Sequence, residues 1–597
     1  MPEEQKPVDS VDSVEKDGAA DKHDQNQPEE VKNGANADKS KLQQFKAWYG
    51  QRKKWTIPAT ILLAVLMLII IPFTRYAIAG LVVKQDLTIS VVDTKSSTPV
   101  SGASVSSGSI SSQTDGSGKA TLHQLKPGPH QISFVKKYYQ SQTVKMTVAV
   151  MKQKTIPQVK MTATGRQVKI TVTNIINGNP INGAKIGVAG ADYKTDTKGI
   201  AVVVVPAGVS TQKATISHDG YNNALDVTIK VSDSEIAENN LTLTPFGKVY
   251  FLSKLSGKID VVKTNLDGTN RQTVLAGTGK EDDRGTVLLA SRDWKYLALL
   301  SKRAGGSPAL YLIATADDKL TTIDDGDAVF TPAGWVNDSF VYSVARNSVQ
   351  IWQPNRQALK SYDATNKKLI TLDQTTASGT NSYDYISELM GSVYANNDQV
   401  LYIKNWTAAY GKASSTDFTS KQATFNSIKA DGSAKKAIKS FGLAAGTTAL
   451  DVSVEAKVEN PSSIDLKFSD GAKDNFYTYA NGQVKDDPTG TADSFYSADY
   501  PTYLQSPSGD ATFWAEARDG KNTLFIGDQT GQAGKQIATL SDYFTYGWYS
   551  DNYVLVSKNS SELYIMPSTG SKTPVKISDY HKPSATFYGY GGGYGGL

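Results

Sequence analysis

The sequence predicts an all-β protein with one N-terminal transmembrane helix, two small β-sandwiches and a β-propeller of about seven blades. Three observations predict this fold: an apolar run near the N-terminus, a β pattern that occurs twice in tandem, and an apolar strand that recurs at regular intervals through the rest of the chain. The 597 residues carry a net charge of +5, with 30 tyrosines and 17 phenylalanines. This composition suits strands and turns better than helical bundles.

Residues 1–54 are predicted to be a disordered cytoplasmic tail. Up to about residue 40 the chain consists mostly of Pro, Glu, Asp, Lys, Asn and Gln. Such a segment has too little apolar surface to form a core. Recruitment of a cytoplasmic partner is the alternative interpretation of this tail.

Residues 55–83 are predicted to form a transmembrane helix. The uncharged run 57–73 is dominated by Ile, Leu, Val and Met, and residues 77–83 extend it. A helix needs about 20 apolar residues to cross a bilayer. The predicted membrane-anchor residues are Trp55, Ile57, Ile61, Leu62, Leu63, Val65, Leu66, Leu68, Ile69, Ile70, Ile71 and Phe73.

The flanking charges predict the orientation of this helix. Five Lys or Arg residues lie between Lys41 and Lys54, and only Arg75 and Lys84 follow the run closely. The positive-inside rule then places the N-terminus in the cytoplasm and the rest of the chain outside a single-pass anchor. The alternative is a cleaved signal peptide, because Ala77-Ile78-Ala79 resembles a cleavage site. The long segment before the run favours the retained anchor.

Two tandem β domains are predicted at residues 86–163 and 167–245. Pro99 and Pro180 each begin a Pro-x-x-Gly-Ala segment, and 180 − 99 = 81. Gly118 and Gly199 each end a Thr-Asp-x-x-Gly turn, and 199 − 118 = 81. The repeated offset indicates two copies of one small β-sandwich.

These motifs resemble those of carboxypeptidase regulatory-like domains and the related PEGA and carbohydrate-binding-like β-sandwiches. The resemblance covers about a quarter of the chain. It implies stalks or adaptors that bind glycans or proteins weakly, and it implies no catalysis. Lys137 stands where the family has Gly before Tyr in the first copy, which leaves a different final hairpin open there.

Residues 246–583 are predicted to form the propeller, followed by a flexible Gly/Tyr-rich tail at 584–597. Similar apolar strands occur near Tyr250, Leu297, Phe340, Leu401, Ile464, Phe513 and Val554, and (554 − 250)/6 is about 51. Repeats of this length with short strands are typical of propeller blades. Six or eight blades remain alternatives to seven.

The ends of this region predict how the ring closes. The first repeat begins abruptly at Lys248, whereas segments 574–578 and 585–588 both follow the last full repeat. We expect a C-terminal strand to pair with the first blade.

The propeller repeats also resemble a known family. Ser291-Arg292-Asp293-Trp294, Ser506-Pro507-Ser508-Gly509-Asp510 and Asn265-Leu266-Asp267-Gly268 are similar to motifs of TolB-type and WD40-like propellers. The resemblance implies a head that binds proteins or peptides, although some such propellers are enzymes.

Residues able to support catalysis are scarce, and no cofactor, metal site or catalytic residue is predicted. Cysteine is absent, and the five histidines show no metal-ligand spacing. Gly277-Thr278-Gly279-Lys280 is a poor phosphate loop. Acidic clusters at 281–283 and 324–327 are interpreted as solvated loops, with calcium binding as the alternative. The basic residues are scattered, which excludes a nucleic-acid stripe.

Five tryptophans offer a possible sugar platform: Trp294, Trp335, Trp406, Trp514 and Trp548. Trp335 and Trp548 recur at one repeat position, which favours core packing for those two. The chain is therefore expected to be a non-enzymatic, membrane-anchored extracytoplasmic binding protein, with the sandwiches as spacer and the propeller as a protein- or glycan-binding head. A glycan-active hydrolase of the propeller type and a surface adhesin are the alternatives.

Overall fold

The computed structural model describes residues 43, 46–48, 50, 53–70, 76, 79–95, 97–206, 209–232, 236–396, 398–559 and 561–580. The predictions for the tail before residue 43 and for the Gly/Tyr-rich segment after residue 580 lie outside these residues. So do the anchor residues Ile71 and Phe73. Contacts divide the chain into two compact units, one of which contains the N-terminal helix and the other nearly all of the β structure.

Helix α1 (Lys53–Ile70) is 18 residues long. Its apolar side chains are exposed, with Trp55 at 83% and Ile70 at 67%. Among the residues that the structure describes, no helix combines the length and the apolar character that crossing a bilayer requires. The remaining helices are short: a 3-10 turn (Tyr410–Lys412), α2 (Thr416–Thr419) and α3 (Ala492–Ser497).

The region after α1 contains two copies of a seven-stranded unit. The strands of the first copy are β1 (Gln85–Asp93), β2 (Ser104–Ser107), β3 (Ile110–Gln113), β4 (Lys119–Leu125), β5 (Gly128–Val135), β6 (Gln142–Val148) and β7 (Gln158–Met161). Those of the second are β8 (Arg166–Asn174), β9 (Lys185–Val188), β10 (Ala191–Lys194), β11 (Ile200–Val205), β12 (Thr211–Ser217), β13 (Ala224–Lys230) and β14 (Ala237–Leu243).

The strand order is the same in both copies, as the constant offset between their motifs predicts. A three-stranded sheet has the order β4-β1-β7 in the first copy and β11-β8-β14 in the second. A four-stranded sheet has the order β3-β2-β5-β6 or β10-β9-β12-β13. In the second copy both sheets contribute to one core, which includes Ile170, Ile186, Val203 and Ile216.

The recurring Thr-Asp-x-x-Gly motif is structural in both copies. The Thr114 hydroxyl donates to the Val100 carbonyl at 2.6 Å and accepts from the Ala103 amide at 2.8 Å. Thr195 makes the same two bonds with Ile181 and Ala184. Each threonine therefore ties the turn to the strand entry at the Gly-Ala pair.

The final hairpin of the first copy does not differ from that of the second. Tyr138, rather than Lys137, stands at the position of Gly220, and it adopts a φ of +66° where Gly220 has +81°. Tyr139 and Tyr221 then make equivalent bridges to Ala163 and Pro245. The backbone turn is thus kept in the first copy with a side chain in the left-handed region.

The remaining strands form seven consecutive antiparallel sheets, here numbered sheet 1 to sheet 7. Sheets 1 to 3 comprise β15 (Val249–Ser253), β16 (Asp260–Thr264) and β17 (Gln272–Leu275); β18 (Val287–Ala290), β19 (Tyr296–Ser301), β20 (Ala309–Ala314) and β21 (Lys319–Asp324); and β22 (Ala328–Val336), β23 (Ser339–Arg346), β24 (Gln357–Asp363) and β25 (Lys368–Gln374). Sheet 4 comprises β26 (Ala377–Asn381), β27 (Asp384–Ala395), β28 (Val400–Ala408), β29 (Gln422–Ile428), β30 (Lys436–Gly442) and β31 (Asp451–Val452).

The last three sheets have four strands each. They comprise β32 (Val454–Asn460), β33 (Ser463–Ser469), β34 (Asp474–Ala480) and β35 (Gln483–Asp486); β36 (Leu504–Gln505), β37 (Ala511–Arg518), β38 (Lys521–Asp528) and β39 (Lys535–Thr539); and β40 (Tyr543–Ser550), β41 (Tyr553–Lys558), β42 (Glu562–Pro567) and β43 (Val575–Asp579). The seven apolar strands recognised in the sequence are β15, β19, β23, β28, β33, β37 and β41. Each of them is the second strand in sheets 2, 3, 5, 6 and 7, and in sheet 4 it is the third, after β26 and β27.

Six of the seven pairs of neighbouring sheets share an apolar cluster of described residues. Shared apolar clusters join sheets 1 and 2, 2 and 3, 3 and 4, 4 and 5, and 6 and 7. A further cluster joins sheet 7 back to sheet 1, through Leu555 and Ile565 against Val249 and Phe251. The ring is therefore a seven-bladed β-propeller, as the repeat predicts.

The ring closes in a different way from the one predicted. Strand β43 pairs with β42 as the fourth strand of sheet 7, so the expected pairing of 574–578 with the first blade is wrong. Segment 585–588 lies outside the described residues. Ile577 and Tyr580 nevertheless pack in one cluster with Val249 and Phe251. The two ends of the propeller are neighbours through side-chain packing.

Sheet 1 has three described strands, and its first strand, β15, corresponds to the second strand of most other blades. Side chains from neighbouring sheets therefore pack where other blades have their innermost strand. Trp294, from the turn between β18 and β19, packs in both clusters that flank sheet 1. Its indole N–H donates to the Trp548 carbonyl of sheet 7 at 3.1 Å, and its ring lies 5.6 Å from that of Tyr549. Trp294 thus links sheets 2 and 7 across the inner edge of sheet 1.

Ionic clusters also join neighbouring blades. The buried carboxylate of Asp324, at the end of β21, lies 2.6 Å from Arg346 and 2.8 Å from Lys360 of the next blade. The Tyr342 hydroxyl donates to it at 2.8 Å. Burial opposes ionisation, but the bonds from Lys360 and Arg346 lower the pKa of Asp324 below its usual 3.8. Asp373 repeats this arrangement with Tyr402 and Lys404.

Replacing Asp324 with Asn should lower the free energy of unfolding at neutral pH by about 3 kcal/mol, because two partly buried cations lose their buried counter-charge. A lowered native pKa stabilises the fold above the unfolded value of 3.8 and ceases to do so as the pH falls through the native value. The difference between wild type and Asp324→Asn should therefore shrink below pH 3.8 in denaturant titrations. The exposed neighbour Asp325→Asn is the control, and an equal loss in both variants would contradict the prediction.

Candidate binding face of the propeller

The turns between the first and second strands of several blades meet at one open cavity of about 450 Å³. These turns come from sheets 2, 3 and 6, and the lining is completed by the turn between β27 and β28 of sheet 4 and by a third-to-fourth-strand turn of sheet 6. The lining residues are Arg292, Asp293, Asn337, Asp338, Asp398, Pro507, Ser508, Gly509, Asp510 and Gln529. We call this site the acidic cavity.

Negative charge dominates the acidic cavity. Its lining has four carboxylates and one guanidinium, and it has no histidine. Asp293 accepts from the Ser291 hydroxyl at 2.9 Å and pairs with Lys295 at 2.5 Å. Burial opposes ionisation of Asp293, but the bonds from Lys295 and Ser291 keep its pKa below the usual value. The cavity suits a cationic group.

The one cationic side chain of the cavity lining, Arg292, contacts a blade on another side of the ring. Arg292 belongs to the turn after β18, and its guanidinium donates to the Gln505 side chain of sheet 6 at 3.3 Å. Gln505 is buried on β36. Arg292 therefore connects sheets 2 and 6 at the acidic cavity, whose lining also contains carboxylates from several blades.

The cavity residues were not recognised as a site from the sequence. In the sequence, Asp293 and Asp510 stand within repeat motifs, and no motif marks Asp338 or Asp398 as part of a site. The available signal was the recurrence of Asp shortly before the second strand of a blade. Because the blades surround a common axis, equivalent turns of different blades come together.

The tryptophans do not form a sugar platform. Trp335 and Trp548 are buried, as predicted, and their indole N–H groups donate to Leu289 and Leu504 on the first strand of the preceding sheet. Trp514 is buried too. Trp406 is half-buried, with the Lys421 ammonium 4.9 Å from its ring centroid. Trp294 packs against the apolar clusters on both sides of sheet 1.

The other sequence candidates have structural partners. Glu281 accepts from the Thr278 and Gly279 amides, so the chain's own carboxylate occupies the poor phosphate loop. Lys302 and Lys254 pair with Asp282 and Asp283. Across the described residues no group of three His, Asp or Glu side chains could hold a metal ion.

The three described histidines lie apart from the propeller. His123 contacts Asp86, His130 contacts Ser107, and His218 contacts Asn182. His23 and His581 lie outside the described residues.

The second β copy docks beside the acidic cavity's face of the ring. Ile176 is fully buried in the cluster shared by sheets 1 and 7. The Asn174 side chain donates to the Tyr553 hydroxyl at 3.0 Å, and Lys572 donates to the Ile175 carbonyl at 2.7 Å. Tyr553 follows a first-to-second-strand turn, so this contact is made on the face that carries the cavity.

No known protein family matches the chain by sequence, and no curated protein does. Among solved structures it is similar to the β-propeller domain of the trilobed protease from Pyrococcus furiosus, with 13% identity, 57% of this chain and 95% of that one covered, and a TM-score of 0.33. An oligogalacturonate lyase from Vibrio parahaemolyticus has 10% identity, 56% and 85% coverage, and a TM-score of 0.30. TolB from Acinetobacter baumannii has 13% identity, 55% and 78% coverage, and a TM-score of 0.21. These similarities carry no information on what this chain binds.

Proposed function

We propose that this chain is a membrane-anchored, single-pass binding protein whose propeller head recognises a cationic segment of an extracytoplasmic protein. The observation that supports the proposal is the acidic cavity, in which four blades contribute carboxylates around one guanidinium. A Lys or Arg side chain of a ligand would exchange water for charge-assisted bonds to these carboxylates. The N-terminus would lie in the cytoplasm and the β structure outside.

The proposal of an anchor has separate support. Helix α1 exposes Ile61, Leu62 and Leu66 at 59%, 62% and 45%. A surface of this kind needs an apolar environment, and the basic residues before it favour a cytoplasmic N-terminus.

Two properties favour binding over catalysis and over glycan recognition. They are the ionisation of buried carboxylates and the placement of the aromatic side chains. Glycoside hydrolysis needs a carboxylic acid that stays protonated near neutral pH. Although burial opposes the ionisation of Asp324 and Asp373, bonds from Lys and Arg side chains lower their pKa values. Neutral sugars are usually held on exposed aromatic rings, and none of the residues that line the acidic cavity is aromatic.

A triple variant of the acidic cavity tests the proposal. Asp338→Asn, Asp398→Asn and Asp510→Asn together remove three charges and keep side-chain size. Fluorescence anisotropy would be measured with the full-length protein in detergent and a library of Lys-rich peptides. The best peptide should bind the triple variant at least about tenfold more weakly, a loss of about 1.4 kcal/mol. Added salt should weaken binding to wild type more than to the variant.

The matched control removes three charges elsewhere on the propeller, by Asp499→Asn, Asp519→Asn and Asp542→Asn. It should bind the peptide as wild type does. Equal weakening in the control would indicate that net charge alone attracts the peptide. Binding by the cavity variant at wild-type strength would refute the proposed site.

A further inference from the structure

Three segments at the base of the first β copy belong to the same compact unit as helix α1. They are residues 79–85, 124–129 and 147–152. Lys84 donates to the Gln124 side chain at 3.3 Å, and the Gln85 side chain donates to the Val150 carbonyl at 3.0 Å. A Cβ built on Gly80 would lie 3.4 Å from that of Lys126. The chain that leaves the helix is therefore packed against two turns of the β structure.

This junction exposes large apolar side chains. Leu81 is 83% exposed, Val82 is 87% exposed and Met151 is 77% exposed. Three exposed lysines accompany them, namely Lys84, Lys126 and Lys152. The three segments contain no Asp or Glu. We call Leu81, Val82, Lys84, Lys126, Met151 and Lys152 the basal surface.

The second copy has other residue types at the equivalent positions of its sequence. The first residues of β1 and β8 are numbered 85 and 166, an offset of 81, and those of β6 and β13 are numbered 142 and 224, an offset of 82. The offset of 81 applies to Leu81, Val82, Lys84 and Lys126, and the offset of 82 applies to Met151 and Lys152. The equivalent residues of the second copy are then Thr162, Ala163, Gly165, Ala207, Asp233 and Ser234. The fold therefore does not require the apolar and basic side chains of the first copy.

The chain places the basal surface close to the end of helix α1. Tyr76 packs on the turn of the first copy, with its Cβ 3.3 Å from a Cβ built on Gly128. Tyr76 follows Ile70 by only six positions along the chain. Fully extended, this stretch spans at most about 20 Å. If α1 is anchored in a bilayer, the basal surface cannot lie far from its headgroups.

We propose that the basal surface rests on the outer leaflet of an anionic bilayer, with Leu81, Val82 and Met151 inserted at the headgroup boundary and the lysines paired with lipid phosphates. Apolar side chains with adjacent basic residues and no acidic ones are complementary to such an interface. This inference rests on the proposed membrane anchor. It implies that these three segments of the first copy lie at the bilayer surface.

Site-specific fluorescence tests the inference, because the chain has no cysteine of its own. Full-length Met151→Cys would carry a polarity-sensitive dye and be reconstituted into phosphatidylcholine vesicles with or without phosphatidylglycerol. In anionic vesicles the emission should shift to the blue, and a headgroup-level lipid quencher should quench the dye roughly threefold more than in neutral vesicles. A dye at Leu255→Cys, an exposed site in the propeller, should show neither effect.

Two sets of substitutions in the Met151→Cys background separate the contribution of the apolar side chains to the quenching from that of the lysines. Leu81→Thr with Val82→Ala introduces the residues found at the equivalent positions of the second copy and should reduce quenching in both kinds of vesicle. Lys84→Gln, Lys126→Gln and Lys152→Gln should abolish the dependence on anionic lipid.

The outcomes separate the basal surface from the anchor. A protein that floats with vesicles but shows no quenching at residue 151 would overturn the basal surface and leave the anchor intact. A protein that does not float with vesicles would overturn the anchor and the inference with it. Equal quenching at residues 151 and 255 would show non-specific adsorption and would also overturn the inference.

Discussion

A chain that ends before Pro574 should lose the cooperative unfolding of its propeller. This truncation removes β43, the fourth strand of sheet 7, together with Ile577 and Tyr580, which pack in the cluster that joins sheets 7 and 1. It also exposes the edge of β42, which promotes aggregation. The loss of two large buried side chains and one strand should exceed about 5 kcal/mol, comparable to the whole stability of many domains.

Thermal unfolding followed by circular dichroism, with size-exclusion chromatography, would measure this effect. A chain that ends at Tyr588 is the control and should melt as the full-length protein does. A chain that ends at Lys582 tests the remaining prediction for segment 585–588, because lower stability than the control would indicate that this segment completes sheet 1. A sharp, wild-type melting transition after truncation before Pro574 would contradict the closure described above.

Trp294→Ala should destabilise the propeller by about 3 kcal/mol. The indole packs against sheets 1, 2 and 7 and donates to the Trp548 carbonyl, so its loss removes contacts that no neighbouring strand replaces. Trp294→Phe keeps much of the packing and loses the hydrogen bond, for which the expected cost is about 1 kcal/mol. Urea titration of the three proteins would give these differences.

Trp406→Ala provides the comparison, because Trp406 is half-buried on β28 of sheet 4 and contacts Lys421. Its removal should cost about 1 kcal/mol. If Trp294→Ala and Trp406→Ala were equally destabilising, ring closure would not depend on Trp294. A larger effect at Trp294 would identify the inner edge of sheet 1 as the point that holds the ring together.

Local pattern and repetition were enough to predict the class of the fold. The strands around Leu297, Phe340 and Phe513 could be recognised because each blade must bury the same central strand, which selects the same apolar side chains at each repeat. The equal offset between Pro99 and Pro180 predicted the common strand order of the two β copies in the same way. The burial of Trp335 and Trp548 followed from their shared repeat position.

The closure of the ring and the acidic cavity were decided by the tertiary structure. Segment 574–578 has a strand pattern that fits either end of the ring, and its partner is selected by packing against β42, which the pattern does not encode. Asp338, Asp398 and Asp510 are far apart in the sequence, and each alone is an ordinary turn residue. They become a site only because seven similar sheets surround one axis, which brings equivalent turns of different blades together and concentrates their charge.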